Sequence, residues 1–197
     1  MAVAETPTGP FKAMEEPMLT MEMMEQYGIQ MSQTIDPSIY QEDGKAYIVF
    51  GNGAAAIAEL TDDMCQVKPE TLKNIEGLED FRESLIITKH DGSYHFTWSC
   101  DDTGSEDYHV NYGTADSLYG PVTFEKTLLS KNPDQNVLGT GHHSILYVEE
   151  LDKYVMAYHR FATPLDKYPE GKGYHREVCI APLTFDKNGK MVNVFVR

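Results

Sequence analysis

Residues 83–94, ESLIITKHDGSY, carry the pattern that decides the fold. An acid, Glu83, opens an apolar run, a polar turn follows, and a second apolar run begins. Residues 36–47, DPSIYQEDGKAY, and residues 143–154, HSILYVEELDKY, repeat the pattern, with an acid or a histidine eleven residues before a tyrosine. Alternating apolar residues on either side of a Gly or Asp turn predict a strand, a turn and a second strand in each copy.

Repeats at intervals of roughly 40–60 residues are typical of β-propeller blades. Blades converge on a central axis, which brings the residues of their first strands together. We therefore predict an all-β propeller, with blade units that begin near residues 36, 83 and 142. Two carboxylates and a histidine are expected to meet at its axis.

A second repeat concerns the start of the chain. Residues 4–11, AETPTGPF, align with residues 115–122, ADSLYGPV. The later copy follows Glu83 and its hairpin, so it belongs to the outer part of a blade. We accordingly predict that residues 1–12 are the outer remnant of a preceding blade, and that residues 1–197 form one partial propeller whose first blade is largely missing.

The rest of the chain divides into short strands and loops. Between residues 12 and 34, Met18, Met21 and Met24 fit one face of a short helix or a packed loop, and core packing suits methionine in either case. Asp43-Gly44, Asp91-Gly92 and Asn188-Gly189 predict hairpin turns. Long loops are expected at 100–108 and 161–174. The expected strands are 38–42, 46–51, 54–60, 84–89, 94–99, 109–115, 122–128, 144–149, 153–159, 176–185 and 191–196.

Composition excludes several classes of protein. Hydrophobic residues make up 41% of the chain, which is ordinary for a folded domain. A formal charge of −15 argues against nucleic acid and anionic membrane surfaces as partners, since both need basic patches. Three cysteines give no disulfide framework and leave the compartment open. Residues 1–20 contain no signal-peptide core, and a secreted or periplasmic parent protein stays open.

Four ordered motifs together resemble the catalytic domain of family 43 glycoside hydrolases. They are IDPS (35–38) followed by DGKAYIVFG, FRES (81–84) followed by DGSYHFTWS, GTGHHS (139–144) followed by KYVMAYHR, and the terminal HREVCIAPLTFDKNGK. The family contains β-xylosidases, α-L-arabinofuranosidases and arabinanases on a five-bladed propeller. The resemblance therefore implies inverting hydrolysis of arabinose- or xylose-containing plant glycans such as arabinan and xylan.

The resemblance also implies a role for each matching residue. Glu83 corresponds to the general acid, and Asp36 to the aspartate that orients and tunes it. The general base aspartate belongs to the first blade, where this chain has no counterpart, so activity is expected to be impaired. Burial and the like charge of Asp36 predict a protonated Glu83 near neutral pH. Strand alternation predicts that Arg82 points to the opposite face.

Further residues are expected around the acids. By resemblance, His142 lies at the axis, contacts substrate and holds a Ca²⁺ or other ion, although no cofactor is required. Alternation makes His143 its outward neighbour. Arg176 is expected to contact the substrate or the acid pair. Trp98, with Phe96 and Tyr112, either forms an aromatic platform for sugar or packs in the core.

Other interpretations remain open at this point. Each motif alone has an ordinary structural explanation: Asp36 before a proline as a turn, Glu83 as a surface carboxylate, His142 and His143 as a structural pair. The chain could be a truncated, non-catalytic sugar-binding propeller or remnant, or a propeller unrelated to sugar. An incomplete ring would also expose strand edges, through which copies of the chain could self-associate.

Overall fold

The computed structural model describes residues 1–168 and 172–196, and its regular structure is almost entirely antiparallel β-sheet. A single short helix, α1 (Met21–Gln26), lies near the start, and 3-10 turns occupy Pro69–Thr71, Pro133–Gln135, Glu149–Leu151, Leu165–Lys167 and Lys172–Tyr174. The strands are β1 (Ala2–Val3), β2 (Lys12–Ala13), β3 (Ser38–Glu42), β4 (Lys45–Phe50), β5 (Ala55–Glu59), β6 (Lys73–Ile75), β7 (Phe81–His90), β8 (Ser93–Cys100), β9 (His109–Ala115), β10 (Thr123–Leu129), β11 (Gly141–Val148), β12 (Lys153–Phe161) and β13 (Arg176–Leu183).

Three meander sheets follow one another along the chain. The first sheet contains β3 to β6, the second sheet β7 to β10, and the third sheet β11 to β13, each in sequence order. Strands β1 and β2 form a separate two-stranded ribbon. The all-β prediction is therefore confirmed, and the sheets begin close to residues 36, 83 and 142. The number of blades and the missing first blade stay predictions.

Two hairpin turns follow directly from their Asp-Gly pairs. Asp43 and Gly44 have φ values of 51° and 76°, and Asp91 and Gly92 have values of 47° and 80°. Positive φ at both central residues defines a type I′ turn, whose twist matches the flanking strands. These turns fix the register at Glu42↔Lys45 in the first sheet and at His90↔Ser93 in the second.

Apolar side chains pack the sheets face to face. Between the first and second sheets lies one cluster of buried residues, which includes Val49, Ile57, Phe96, Trp98 and Val122. A second cluster lies between the second and third sheets, and joins Tyr112 and Leu128 to Met156, Ala181 and Leu183. Burying such area is the main favourable term in folding, at about 25 cal/mol per Å² of apolar surface.

The helix closes the other face of the first sheet. Thr20 caps it by accepting a hydrogen bond from the Met23 backbone N–H at 3.1 Å. Met24 is fully buried against Ile48 and Phe50, in a cluster that partly buried Met18 also contacts. The segment therefore forms a short helix that places Met24 in the core, whereas Met18 precedes the helix and Met21 is 38% exposed.

One predicted strand near the end of the chain does not form, and the repeat near its start shares a turn with the later copy. No strand forms at 191–196, because the N–H of Val192 bonds to Thr184 and that of Val194 bonds to Leu128, so no continuous ladder develops. The repeated AETPTGPF and ADSLYGPV segments share a turn, closed by a 3.0 Å hydrogen bond from Gly9 N–H in one and from Gly120 N–H in the other.

Within the described part of the chain, no helix is long and apolar enough to cross a membrane. The expected loop at 161–174 includes residues 169–171, which lie outside the described residues.

Candidate active site

Asp36, Glu83 and His142 meet at one point, each supplied by a different sheet or its leading segment. One ligand-type atom from each lies within 4.8 Å of the other two. His142 stands between the carboxylates, with Nδ1 3.7 Å from Glu83 Oε1 and Nε2 3.9 Å from Asp36 Oδ1. The sequence prediction that these three residues converge is therefore matched by their geometry.

Irregular backbone aims these side chains. Asp36 and His142 have φ values of 55° and 44°, and Ser84, next to Glu83, has 59°. The ladder between β7 and β8 shifts register on both sides of Glu83, and that between β11 and β12 shifts between Gly141 and Ser144. Such bulges re-aim side chains, and left-handed conformations of non-glycine residues concentrate at functional sites.

Glu83 is buried, and each of its oxygens accepts a hydrogen bond. Asn52 donates its amide N–H to Oε2 at 2.9 Å, and Tyr108 donates its hydroxyl to Oε1 at 2.8 Å. The contact with His142 is the largest cause that lowers the pKa of Glu83 to about 2, and Tyr108 contributes in the same direction against the effect of burial. The expectation that Glu83 is protonated near neutral pH is wrong for the free chain, because two hydrogen-bond donors and the contact with His142 favour the ionised carboxylate.

The pKa values of the other two members of the cluster, Asp36 and His142, are raised. Burial raises the pKa of Asp36, with Glu83 adding to the effect and His142 opposing it. Contact with Glu83 raises the pKa of His142, against desolvation. In the free site, Glu83 is therefore ionised and favours the protonated form of His142. Asp36 holds its proton more readily than an ordinary aspartate.

The site thus holds a buried Glu83 and a half-buried Asp36 close together at the start of two successive β-sheets. The model for glycosyl hydrolases family 43 matches residues 1–191. The chain belongs to this family. Its fold is thus that of the propeller fold family, and Asp36 and Glu83 lie in a glycoside hydrolase scaffold.

Two curated relatives resemble the chain over almost all of its length. The β-D-galactofuranosidase xynD of Aspergillus niger is 28% identical over 191 residues, which is 95% of this chain and 52% of that protein. A xylosidase/arabinosidase of Bacteroides ovatus is 27% identical over 236 residues, covering 98% of this chain and 64% of that protein. The chain therefore spans about half to two thirds of the length of these relatives.

Solved family 43 structures share the fold. A thermostable family-43 glycoside hydrolase superposes with a TM-score of 0.78 at 24% identity, covering 100% of this chain and 65% of that one. An endo-1,4-beta-xylanase from Bacteroides thetaiotaomicron superposes with a TM-score of 0.77 at 20% identity, covering 100% and 66%. At this identity the likeness shows the fold alone.

Arg176 lies beside the family 43 site but bonds elsewhere. Its Nη2 donates to the Thr103 hydroxyl at 2.6 Å and to the Thr103 carbonyl at 3.2 Å, and its Nε donates to the Gly173 carbonyl at 3.0 Å. Its charge lowers the pKa of both His142 and His159, so it is close to the cluster. In this structure Arg176 ties two long loops together, and its contact with substrate stays a prediction.

The predicted aromatic platform is wrong, because all three side chains are in the core. Trp98, Phe96 and Tyr112 are each 0% exposed. Trp98 donates its indole N–H to the Glu79 carbonyl at 2.8 Å. A side chain without accessible surface cannot stack on a sugar, so the alternative, core packing, holds for Trp98.

His143 points away from the acid cluster, in agreement with the expectation that it is the outward neighbour of His142. His143 is buried, with Nε2 2.6 Å from the Thr97 hydroxyl, whereas 41% of the His142 side chain is exposed. The two adjacent histidines therefore point to different sides of the strand, although the ladder shifts register between Gly141 and Ser144. Arg82 reaches Asp102 at 3.6 Å rather than the acid cluster.

Sequence reasoning missed three residues of the site: Asn52, Tyr108 and His159. Asn52 lies in a GNG turn that had no chemical motif, and Tyr108 ends an acidic loop. His159 stacks on Tyr108 and, mainly through burial, has a pKa lowered to about 4. The repeated tyrosine-histidine-arginine pattern around His159 was the signal available in the sequence.

Proposed function

We propose that this family 43 chain is the acid-bearing part of an inverting glycosidase for arabinose- or xylose-containing plant glycans. Glu83 donates the proton to the leaving oxygen, and Asp36 orients and tunes Glu83. The single observation that carries the proposal is the convergence of Asp36, Glu83 and His142 within 4.8 Å in a family 43 scaffold. Relatives named xylosidase/arabinosidase support the choice of sugar.

The separation of the carboxylates supports the tuning role of Asp36. An inverting acid and base lie about 6.5–9.5 Å apart, which leaves room for a water molecule. Oxygens of Asp36 and Glu83 come within 4.8 Å, with His142 between them, so Asp36 is too close to be that base. Among the described residues this cluster therefore offers no base, and slow hydrolysis stays a prediction from the family resemblance.

Acid catalysis requires Glu83 to gain a proton when substrate binds. A glycan that excludes water from the site increases the desolvation of the carboxylate, which raises its pKa. Glu83 is already only 7% exposed, so a bound sugar covers the remaining surface. In this proposal the proton passes from the His142 imidazolium, whose Nδ1 lies 3.7 Å from Oε1, to the Glu83 carboxylate, which leaves both groups neutral and ends their charge pairing.

The experiment measures hydrolysis of 4-nitrophenyl α-L-arabinofuranoside and β-D-xyloside, with and without azide, and of the corresponding natural disaccharides. Azide can replace a base-activated water. We expect azide-dependent turnover, and a larger loss in Glu83→Gln on natural substrates than on aryl substrates, because an activated leaving group needs little acid help. Glu125→Gln, which changes a carboxylate paired with Lys190 outside the cluster, is the matched control.

Each outcome has a distinct meaning. Azide products of inverted configuration support the roles above, whereas retention would overturn the tuning role of Asp36. Rapid turnover without azide would show that another acid serves as base. Absence of turnover, together with binding of xylo- or arabino-oligosaccharides by calorimetry, would favour the non-catalytic sugar-binding alternative.

A cation is a second proposal at the same place. We propose that His142 can ligate Ca²⁺ or a related ion, with no ion required for the acid step. The cluster offers two carboxylate oxygens and one imidazole nitrogen, fewer oxygens than the 6–8 that Ca²⁺ takes, so water must complete the shell. Calorimetry with Ca²⁺ on the wild type and on His142→Ala tests it, and equal heats in the two would refute it.

Self-association is proposed through the outer face of the third sheet. Leu146, Val178 and Ile180 are 63%, 77% and 73% exposed, and register places Val155 and Ala157 between them. None of these five side chains is charged, so two copies of this acidic chain can meet here without local repulsion. Sheet-on-sheet packing already occurs twice within the chain, and a second copy would repeat it.

A further inference from the structure

Each oxygen of the Glu83 carboxylate accepts a hydrogen bond from a residue that has no assigned role. Asn52, just after β4 of the first sheet, is 4% exposed and binds Oε2, and Tyr108, just before β9 of the second sheet, is 0% exposed and binds Oε1. The Asn52 turn is anchored beside Glu83, since Gly53 N–H donates to the Arg82 carbonyl at 2.9 Å. Both donors therefore rest on rigid, buried supports.

The ring of Tyr108 lies in a slot made by the third sheet. It stacks on His159, with ring centroids 5.5 Å apart and planes inclined by 7°. Gly141 is the direct cross-strand partner of His159. A Cβ at Gly141 would stand 2.4 Å from Cε1 of Tyr108, so the ring fills the space that any side chain at this position would need.

We infer that Tyr108, seated in the slot between Gly141 and His159, is the positioning residue that fixes Oε1 of Glu83, while Asn52 fixes Oε2. The third sheet thereby sets the orientation of an acid carried by the second sheet. The second glycine of the GTGHHS motif, Gly141, is needed because a side chain there would occupy the space of the Tyr108 ring. The catalytic consequence rests on the proposed function, whereas the positioning itself does not.

The expected consequence is selective. A productive geometry must be held within roughly 0.5 Å, and a displacement of about 1 Å can cost on the order of 100-fold in rate. Proton donation matters most for leaving groups that depart poorly. Loss of positioning should therefore reduce turnover of natural disaccharides far more than turnover of activated aryl glycosides.

Two variants disturb the hydrogen bond between Tyr108 and Glu83 in different ways. Tyr108→Phe removes the hydroxyl and leaves the ring, whereas Gly141→Ala leaves the hydroxyl and displaces the ring. Tyr112→Phe is the matched control, because Tyr112 is equally buried and its hydroxyl contacts His95 at 2.7 Å rather than Glu83. Thermal unfolding establishes that each variant is folded.

Crystal structures of the three variants report the position of Glu83 without any need for activity, and kinetics on the two substrate classes with azide report its consequence. We expect the Glu83 carboxylate to turn or become disordered in Tyr108→Phe and Gly141→Ala, and to stay in place in Tyr112→Phe. A carboxylate that stays within about 0.5 Å in both test variants would overturn the inference.

The kinetic outcomes separate this inference from the proposed function. A loss of at least tenfold on disaccharides relative to aryl substrates supports positioning of the acid. Equal losses on both classes would show a merely structural role for Tyr108 and would overturn it. A displaced carboxylate in an enzyme without any turnover would refute the proposed function and leave the positioning role standing.

Discussion

The contact between Gly77 and Val122 gives the sharpest stability prediction, because it joins the first and second sheets through backbone alone. Gly77 has φ +86°, and a Cβ there would lie 1.9 Å from the Val122 carbonyl oxygen. The neighbouring Val122 N–H donates to the Glu76 carbonyl at 2.8 Å, so the two segments cannot separate freely. Gly44 has φ +76° and nothing within 4 Å of its added Cβ, which makes Gly44→Ala the matched control.

The magnitudes follow from these two environments. Placing alanine in the left-handed region costs about 1–2 kcal/mol at either position. At Gly77 the clash adds roughly 1–3 kcal/mol, as overpacking does in cores. For a chain of this size, each kcal/mol lowers Tm by about 2–4 °C, so Gly77→Ala should melt roughly 2–12 °C below Gly44→Ala.

Trp98 supplies the assay. It is the single tryptophan of the chain, is fully buried, and belongs to the same core cluster as Val122. Its fluorescence, followed during thermal and urea unfolding, reports the interface that the substitution disturbs. Equal Tm values for Gly77→Ala and Gly44→Ala would refute the close approach of the first and second sheets at this point.

Three further predictions concern a histidine, a surface and a buried tryptophan. Burial lowers the pKa of His95, so below pH 6.5 the unfolded chain binds a proton that the folded chain does not. The free energy of unfolding therefore decreases as the pH is lowered, by up to about 1.4 kcal/mol per pH unit. His95→Gln should show a smaller loss between pH 7 and pH 5 in urea unfolding, and an unchanged slope would contradict this. Ile180→Lys should weaken self-association at least tenfold in sedimentation experiments, whereas Leu151→Lys, at a site 61% exposed outside the proposed face, should not; a monomeric wild type at about 100 μM would refute the proposed contact. Trp98→Phe should cost about 1–3 kcal/mol of stability, because the Glu79 carbonyl loses its 2.8 Å donor and keeps only the longer contacts from Asn111 and Cys100, with KM for sugar unchanged. A change in KM alone would restore Trp98 as a sugar contact.

Local pattern was enough to predict most strands and the convergence of the three site residues. Asp-Gly pairs at 43–44 and 91–92 specify their turns through residues that tolerate positive φ, and these turns fix register in two sheets. Repeat equivalence then placed Asp36, Glu83 and the histidine pair at corresponding positions of successive sheets. The prediction depended on spacing, which a sequence displays directly.

Side-chain environment could not be predicted in the same way. The sequence left open whether Trp98 stacks on a sugar or packs in the core, and the contact between the first and second sheets places it in the core. The protonation state of Glu83 was predicted from burial and the like charge of Asp36, whereas two hydrogen-bond donors and a histidine from distant segments lower its pKa.

The sequence by itself determined the β-meander architecture, the turns and the family, because these depend on the order and spacing of residues along the chain. Only the tertiary structure decided which groups surround Glu83. Asn52 and Tyr108 lie 31 and 25 residues away from it in sequence and carry no motif. Their role arises because three sheets pack face to face, and the packing brings a turn, a loop and a glycine slot to the same carboxylate.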